Sequence, residues 1–139
     1  MTVHVLDTDT LSLYQHGHPV VCQNVQSRPA QSLATTVITV QEQISGWYHL
    51  LNRASRRDQV ADLYDRLKRQ IELLTGWNLL PFPVPAIIRF ESLLGLKLNI
   101  GKMDLRIAAI TLEIGGTVVT RNLRDFQRVP GLTIEDWSV

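Results

Sequence analysis

Short apolar runs alternate with longer amphipathic stretches along this chain of 139 residues. The runs are rich in Val, Ile, Leu and Thr, which favours strands at residues 3–6, 33–39, 78–82, 117–120 and 132–135. Between these runs, apolar residues recur every three or four positions, as is typical of helices with one buried face. This alternation predicts an α/β fold, an α/β/α sandwich with a mainly parallel sheet of about five strands. No linker divides the chain, so we predict a single domain over residues 1–139.

The amphipathic stretches carry recognisable start and stop signals. Thr39 to Glu42 has the S/T-x-x-E spacing of a capping box and predicts a helix N-terminus there. Asp104 is expected to open another helix, which Gly115 and Gly116 end. The clearest apolar stripe belongs to a helix from about Ser55 and consists of Val60, Leu63, Leu67, Ile71 and Leu74.

Composition places the chain among globular proteins, because 45% of its residues are hydrophobic and 19% are charged. Its net charge of +1 is not the strongly basic signature of a protein that grips nucleic acid over its whole surface. The single cysteine excludes an internal disulfide and suits a reducing compartment. The chain has no apolar run long enough to span a bilayer and no export signal, so we predict a cytoplasmic protein.

Four carboxylates stand where a parallel sheet would bring them to one edge. Asp7 follows the first strand, Glu42 follows the second, Asp104 opens a helix after a loop and Asp125 follows the fourth strand. Grouped carboxylates repel each other unless a cation joins them, and an all-oxygen site suits Mg²⁺ or Mn²⁺. The sequence therefore predicts metal-assisted phosphodiester chemistry. The residues alone leave open the alternative that each acid only caps a helix N-terminus.

The segment from Asp7 to Thr10 also fits the Asp-x-Asp-x-Thr motif of haloacid-dehalogenase-like phosphatases. In that alternative, Asp7 would attack a phosphoryl group and Asp9 would act as the acid and base. The chain lacks the downstream acidic pair of that family. A second alternative is a non-catalytic RNA-binding or protein-binding module that uses its acids only for structure.

Four segments resemble, in order and in spacing, the motifs of PIN-domain ribonucleases of the VapC toxin type. They are the ranges 5–12, 36–42, 100–109 and 119–131. The resemblance implies a PIN-like three-layer fold and a Mg²⁺-dependent or Mn²⁺-dependent endoribonuclease that cuts RNA such as transfer RNA. It also implies a homodimer that acts as the toxin of a type II toxin–antitoxin pair. A cognate VapB-type antitoxin is then expected to insert a basic or aromatic segment into the acidic groove.

By this resemblance, Asp7 and Asp104 bind the metal directly, and Glu42 and Asp125 complete the catalytic pocket. Some relatives carry an acid where this chain has Asn122, so the fourth position belongs either to Asn122 or to Asp125. The residues expected to orient the carboxylates of the site by hydrogen bonds, without binding the metal directly, are Thr8, Thr120 and Asn122.

Phosphate contacts must come from basic residues near these motifs, because carboxylates repel phosphate. The RNA-binding candidates are Lys102, Arg106, Arg121 and Arg124. Asp9 departs from the family pattern, which usually has Asn at this position. We expect Asp9 to cap the first helix, with additional charge at the metal site as the alternative. Trp137 and the apolar segment 79–88 are candidates for contact with partner chains.

Overall fold

The computed structural model describes all 139 residues and contains one five-stranded parallel sheet with helices on both faces. The strands are His4–Leu6 (β1), Leu33–Thr36 (β2), Asn78–Leu80 (β3), Thr117–Val119 (β4) and Thr133–Glu135 (β5). The helices are Thr8–Gln15 (α1), Pro19–Gln26 (α2), Val37–Arg53 (α3), Arg57–Glu72 (α4), Val84–Gly95 (α5), Lys102–Glu113 (α6) and Leu123–Phe126 (α7). A short 3₁₀ helix covers Ala30–Ser32. The predicted α/β/α architecture is confirmed.

The strand order is β3-β2-β1-β4-β5, so the chain begins at the centre of the sheet. It first builds outward through β2 and β3, and then returns to add β4 and β5 on the other side of β1. All pairings are parallel, which puts the carboxyl ends of the strands at one edge. The direction of winding reverses between β1 and β4, and open α/β sheets bind their ligands in the crevice at such a point.

Each face of the sheet has its own apolar core, because successive strand residues point to opposite sides. Val5 and Val118 belong to the larger core, which α5 and α6 cover. Leu6 and Val119 belong to the smaller core on the face of α1 and α2. Helix α6 is the most buried helix, and its buried residues are Leu105, Ile107, Ala108, Ala109, Ile110 and Thr111. Gly115 follows α6 with a φ of +65°, which agrees with the predicted stop.

The start of α3 differs from the prediction. The strand β2 ends at Thr36, and the Thr36 hydroxyl accepts a hydrogen bond from the Thr39 N–H at 3.2 Å. Thr36 is therefore the N-cap, and the capping box predicted at Thr39 is wrong. Residues 37–40 are β-branched and favour a strand by propensity, but Ile38 and Thr39 are buried on a helical turn. Packing has overridden local preference here, and Glu42 lies beyond the first turn of the helix.

Helix α4 begins at Arg57 and carries four of the five residues of the predicted apolar stripe, because Leu74 lies beyond its end at Glu72. It contains no buried residue. It pairs with α3 in a helical hairpin at the side of the sheet, and the Trp47 indole N–H on α3 donates to Gln70 on α4 at 3.1 Å. Ile71 of the stripe is 63% exposed. None of the seven helices combines the length and the apolarity needed to cross a membrane.

Candidate active site

Asp7 lies at the point where the winding of the sheet reverses. Its backbone N–H donates to the carbonyl of Val119 at 3.0 Å, which ties the end of β1 to β4. Its Oδ1 atom accepts the backbone N–H of Thr10 at 2.9 Å and so caps α1. The side chain is only 4% exposed. Asp7 therefore caps a helix and also lies at the edge where open α/β sheets bind their ligands.

Seven polar or charged residues from four parts of the chain line a pocket of about 500 Å³ at this edge. They are Asp7, Thr8, Asp9, Glu42, Asp104, Arg121 and Asn122. No hydrophobic residue lines the pocket. The structure thus brings Asp7, Glu42 and Asp104 together, although they are far apart in sequence.

Glu42 projects from α3 into this pocket and is oriented by the start of α1. The Thr8 hydroxyl donates to Oε1 of Glu42, and it also lies 3.1 Å from the hydroxyl of Thr39. Thr39 is fully buried, and its hydroxyl helps to hold the Thr8 hydroxyl in place. The capping-box pattern predicted a different role for Thr39, so its contact with Thr8 was not expected. The one available signal was its spacing of one helical turn before Glu42.

Asp104 lies in the first turn of α6 but makes no capping hydrogen bond, because Gly101 is the N-cap. Its pKa is raised to about 6. Burial is the largest cause, and the charges of Asp7, Glu42, Asp125 and Asp9 add to it in that order. The interpretation of Asp104 as a simple helix cap therefore loses its support. A carboxylate with this environment favours a proton or a cation as its partner.

Thr120 supports Asp7 from the end of β4. Burial raises the pKa of Asp7, and hydrogen bonds from the Thr120 side chain and the Thr10 backbone N–H offset part of that rise. Thr120 is fully buried, and its backbone N–H donates to the Glu135 carbonyl at 2.9 Å. The sequence expected Thr8 and Thr120 to hydrogen-bond carboxylates of the site, and both lie in position to do so.

Asn122 and Asp125 occupy different positions around the pocket. Asn122 lines it directly, whereas Asp125 does not. The side-chain N–H of Asn122 donates to Oδ2 of Asp125 at 2.9 Å, and Oδ1 of Asp125 accepts from Arg128 at 3.2 Å. Asp125 is near enough to raise the pKa of Asp104 by its charge, but both of its oxygens already have partners. In this geometry Asn122 is the residue at the pocket and Asp125 holds it.

The four basic candidates are not equivalent. Arg121 lines the pocket, while Lys102 and Arg124 are exposed outside it. Arg106 turns away: its guanidinium stacks 5.0 Å from the ring centre of Phe90, and Nη1 contacts the sulfur of Met103 at 3.1 Å. Only Arg121 therefore adds positive charge to the lining of the acidic pocket.

Asp9 does not cap α1, so that expectation is wrong. Asp7 is the N-cap, and Asp9 instead accepts two hydrogen bonds from Arg121, from Nε at 2.8 Å and from Nη2 at 3.1 Å. The phosphatase alternative needs the carboxyl group of Asp9 as a free acid and base. Both of its oxygens are engaged with the guanidinium, which removes the geometric support for that alternative.

Trp47 and Trp137 both lie outside the lining of the acidic pocket. Trp47 packs in a larger groove of about 870 Å³ that runs from Thr8 and Glu42 between α1, α3 and α4. Trp137 is 3% exposed, which corrects the expectation that it offers a contact surface for partners. In the other candidate segment, Leu79 and Ile88 are 55% and 59% exposed.

The parallel sheet, its central switch point and the acidic pocket built there have the architecture of the PIN fold. No protein-family model matches the chain. The chain is 27% identical to Ribonuclease VapC1 of Haemophilus influenzae strain R2866 over 98% of both proteins. A 38-residue stretch, 27% of this chain and 29% of its relative, is 50% identical to the tRNA(fMet)-specific endonuclease VapC of Salmonella typhimurium.

Comparison with solved structures also finds similarity to VapC-type proteins. A chain in the crystal structure of DNA-bound VapBC from Salmonella typhimurium matches with a TM-score of 0.77 and 25% identity, over 99% of both chains. The resemblance to VapC-type PIN-domain toxins that the four motifs predict is therefore confirmed.

Proposed function

We propose that this chain is a VapC-type endoribonuclease that hydrolyses RNA phosphodiester bonds with the help of Mg²⁺ or Mn²⁺. One observation carries the proposal: three carboxylates from β1, α3 and α6 converge at the switch point of the sheet. None of Asp7, Glu42 and Asp104 forms a salt bridge, so a bound cation would be their compensating charge. The similarity to VapC ribonucleases over the whole chain supports the same activity.

The donor set fits a hard divalent cation. Asp7 and Asp104 would bind the ion, and Glu42 and Asn122 add further oxygen donors to the pocket. No group of three or more carboxylate, imidazole or thiolate side chains forms a cage that could hold a metal ion by itself. Mg²⁺ does not need one, because it is usually held by one or two carboxylates together with water and substrate phosphate oxygens. When bound, such an ion lowers the pKa of its water and offsets charge on the leaving oxygen.

The protein residues supply orientation. Asp7 is fixed by its bond to Thr10 and by its backbone bond to β4, which leaves its carboxylate little freedom. Thr8 holds the carboxylate of Glu42 toward the pocket, where it can orient the attacking water or accept its proton. Asn122 contributes a neutral side chain to the pocket lining, and its hydrogen bond to Asp125 holds it in place. These supports restrict the acids before substrate arrives.

RNA would enter an acidic pocket only if cations compensate its phosphates. Arg121 is the cation that lines the pocket, and Lys102 and Arg124 are exposed nearby on α6 and α7 for phosphates farther along the strand. Arg106 is a poor candidate because it packs on Phe90. We propose single-stranded or loop regions of RNA as substrate, with transfer RNA as the class suggested by the Salmonella relative.

The regulation that we propose is that of a toxin in the cytoplasm. The similar solved structures include toxin–antitoxin complexes. A cognate antitoxin would neutralise this chain by placing a basic or aromatic segment in the acidic pocket. We also propose a homodimer, for which the exposed apolar residues of the segment 79–88 offer a contact surface. The residues that carry each role are those of a single PIN-like domain over residues 1–139.

The decisive experiment compares cleavage of a transfer RNA by the parent, Asp7→Asn, Asp104→Asn and Asp65→Asn. Asp65 is an exposed acid on α4, outside the pocket, and serves as the matched control. We expect both pocket variants to lose at least about 100-fold in rate, because the loss of several kcal/mol of charge stabilisation has that size. The control should keep the parental rate, and circular dichroism should confirm that all four proteins are folded.

Chelation separates the competing functions. EDTA should stop cleavage by the parent, and added Mg²⁺ should restore it. A binding module would retain RNA without cutting it, whether or not EDTA is present. A phosphatase would release phosphate from a small phosphomonoester. Either of those results, or parental cleavage rates in Asp104→Asn, contradicts the proposed nuclease site.

A further inference from the structure

Asp9 and Arg121 form an ion pair across the mouth of the acidic pocket. Asp9 is in the first turn of α1, directly after β1, and Arg121 follows β4. The pair therefore joins the two lips of the crevice at the switch point of the sheet. Two N–H donors of one guanidinium meet both oxygens of one carboxylate, at 2.8 and 3.1 Å, which fixes the orientation of the guanidinium plane.

Fold stability does not account for this pair. The side chains of Arg121 and Asp9 are 48% and 53% exposed, and ion pairs so open to water contribute little to the free energy of unfolding. β1 and β4 are already joined by the sheet and by the Asp7 N–H to Val119 bond. What the pair does fix is the place of the one cation that lines the pocket.

The pair leaves donors available. A guanidinium has five N–H donors, and Asp9 occupies one at Nε and one at Nη2. Three donors remain on a group that already lines the pocket. A free arginine side chain loses much rotamer freedom when a ligand orders it, whereas an arginine held by a carboxylate has lost that freedom beforehand.

We propose that Asp9 is a positioning residue that holds the Arg121 guanidinium at the pocket mouth, where its remaining donors bind a non-bridging oxygen of an RNA phosphate. This inference rests on the proposed nuclease function and deepens it. Arg121 touches the substrate, and Asp9 acts only through Arg121. The role differs from both interpretations of Asp9 that the sequence offered, a helix cap and an added charge at the metal site.

The direction in which Asp9→Asn changes KM distinguishes a positioning role of Asp9 from a purely electrostatic one. If Asp9 were only one more negative charge, Asp9→Asn would reduce the repulsion of phosphate and lower KM. If Asp9 positions Arg121, the same substitution removes the charge and one of the two acceptors that hold the guanidinium, and it raises KM. The two accounts therefore predict opposite changes from the loss of a single charge.

The test is a double-mutant cycle in steady-state RNA cleavage with saturating Mg²⁺, using Asp9→Asn, Arg121→Gln and the double variant. We expect Asp9→Asn to raise KM about threefold, the scale of one exposed ion pair, with kcat within about twofold. The double variant should be no worse than Arg121→Gln alone, because Asp9 has no effect without its partner. Asp9→Glu, which keeps the carboxylate, should recover part of the loss.

Three results would overturn the proposal: a lower KM in Asp9→Asn, additive effects in the double variant, or a shift of the Mg²⁺ midpoint in Asp9→Asn. The last result would assign Asp9 to the metal site. The thermal unfolding midpoints of all variants should match that of the parent. If the Asp9–Arg121 ion pair only stabilised the fold, its loss would lower these midpoints. If the parent does not cut RNA, the nuclease function fails separately. The same cycle is then read from the equilibrium binding of single-stranded RNA, where it supports or rejects the positioning role.

Discussion

The surroundings of two carboxylates, Glu135 and Asp104, distinguish a structural acid from a candidate functional one. Glu135, at the end of β5, accepts a hydrogen bond from Trp137 Nε1 at 3.0 Å and lies 3.5 Å from His4 Nε2 and 3.9 Å from Arg28 Nη2. Asp104, in the first turn of α6, faces other acids and forms no salt bridge. The first carboxylate is satisfied by the protein itself, whereas the second is not.

This difference has an energetic meaning. The contacts of Glu135 tie the C-terminal segment to β1 and to the loop that follows α2, and the Arg28 guanidinium lies 4.1 Å from the centre of the Trp137 ring. The acidic pocket holds the opposite arrangement, in which burial and like charges raise the pKa of Asp104 to about 6. Groups that destabilise a fold persist where a ligand needs them, so the unsatisfied acids indicate the functional site.

The largest expected effect comes from breaking the satisfied cluster. Trp137 is 3% exposed and packs in the smaller core, so Trp137→Ala should lower the free energy of unfolding by about 3–5 kcal/mol. Urea denaturation measures this loss. Tyr48→Ala is the control, because Tyr48 is 69% exposed and its loss should change stability by less than about 0.5 kcal/mol.

The same variant sharpens the comparison by its activity. Below its unfolding transition, Trp137→Ala should still cut RNA at close to the parental rate, because Trp137 does not line the acidic pocket. A large loss of cleavage in the folded variant, or a stability change no larger than that of the control, would mean that the two regions are not separate.

The acidic pocket should show the reverse response. In metal-free buffer at pH 7.5, Asp104→Asn should unfold at higher urea concentration than the parent. The substitution removes one charge from a group of like charges, and after allowance for solvent screening we expect a gain of about 1 kcal/mol. Addition of Mg²⁺ should stabilise the parent and not the variant, since a ligand stabilises only the state that binds it.

The pH dependence of this difference has a definite sign. The folded pKa of Asp104, about 6, lies above its ordinary value of 3.8, so the folded protein holds this proton more tightly than the unfolded chain. The stability contributed by the protonated group is fully present below about pH 4 and is lost as the pH rises through about 6. The gain from Asp104→Asn should therefore vanish near pH 4 and be complete by about pH 7. A gain that is independent of pH would point to a cause other than charge.

The sequence predicted the sheet because its signals are local. Apolar runs that alternate with amphipathic stretches define strands and helices, and parallel pairing then brings Asp7, Glu42 and Asp104 to one edge. The boundary at Thr36 was missed because the β-branched residues that follow it favour a strand, and only packing of Ile38 and Thr39 selects the helix. Long-range side-chain pairs such as Asp9 with Arg121 have no local signal at all.

The stripe of α4 illustrates the opposite limit. Its spacing predicts an amphipathic helix correctly, yet spacing does not specify which surface covers the apolar face. α6 buries half of its residues against the sheet, whereas α4 buries none. Periodicity therefore predicts the type of element, and the location of the element depends on contacts that the pattern does not contain.

The smallest expected effect concerns which of two residues, Asn122 or Asp125, supplies the fourth side chain of the pocket. Asn122→Ala removes a side chain that lines the pocket and should lower kcat/KM about tenfold, whereas Asp125→Asn should lower it only about threefold. Asp125→Asn keeps the shape of the side chain and an oxygen that can still orient Asn122, although it weakens the contact with Arg128. RNA cleavage at saturating Mg²⁺ measures both, with Asp65→Asn as the unaffected control. If Asp125→Asn is the more damaging change, Asp125 itself enters the site when the ion binds, and its bond to Asn122 belongs to the metal-free state alone.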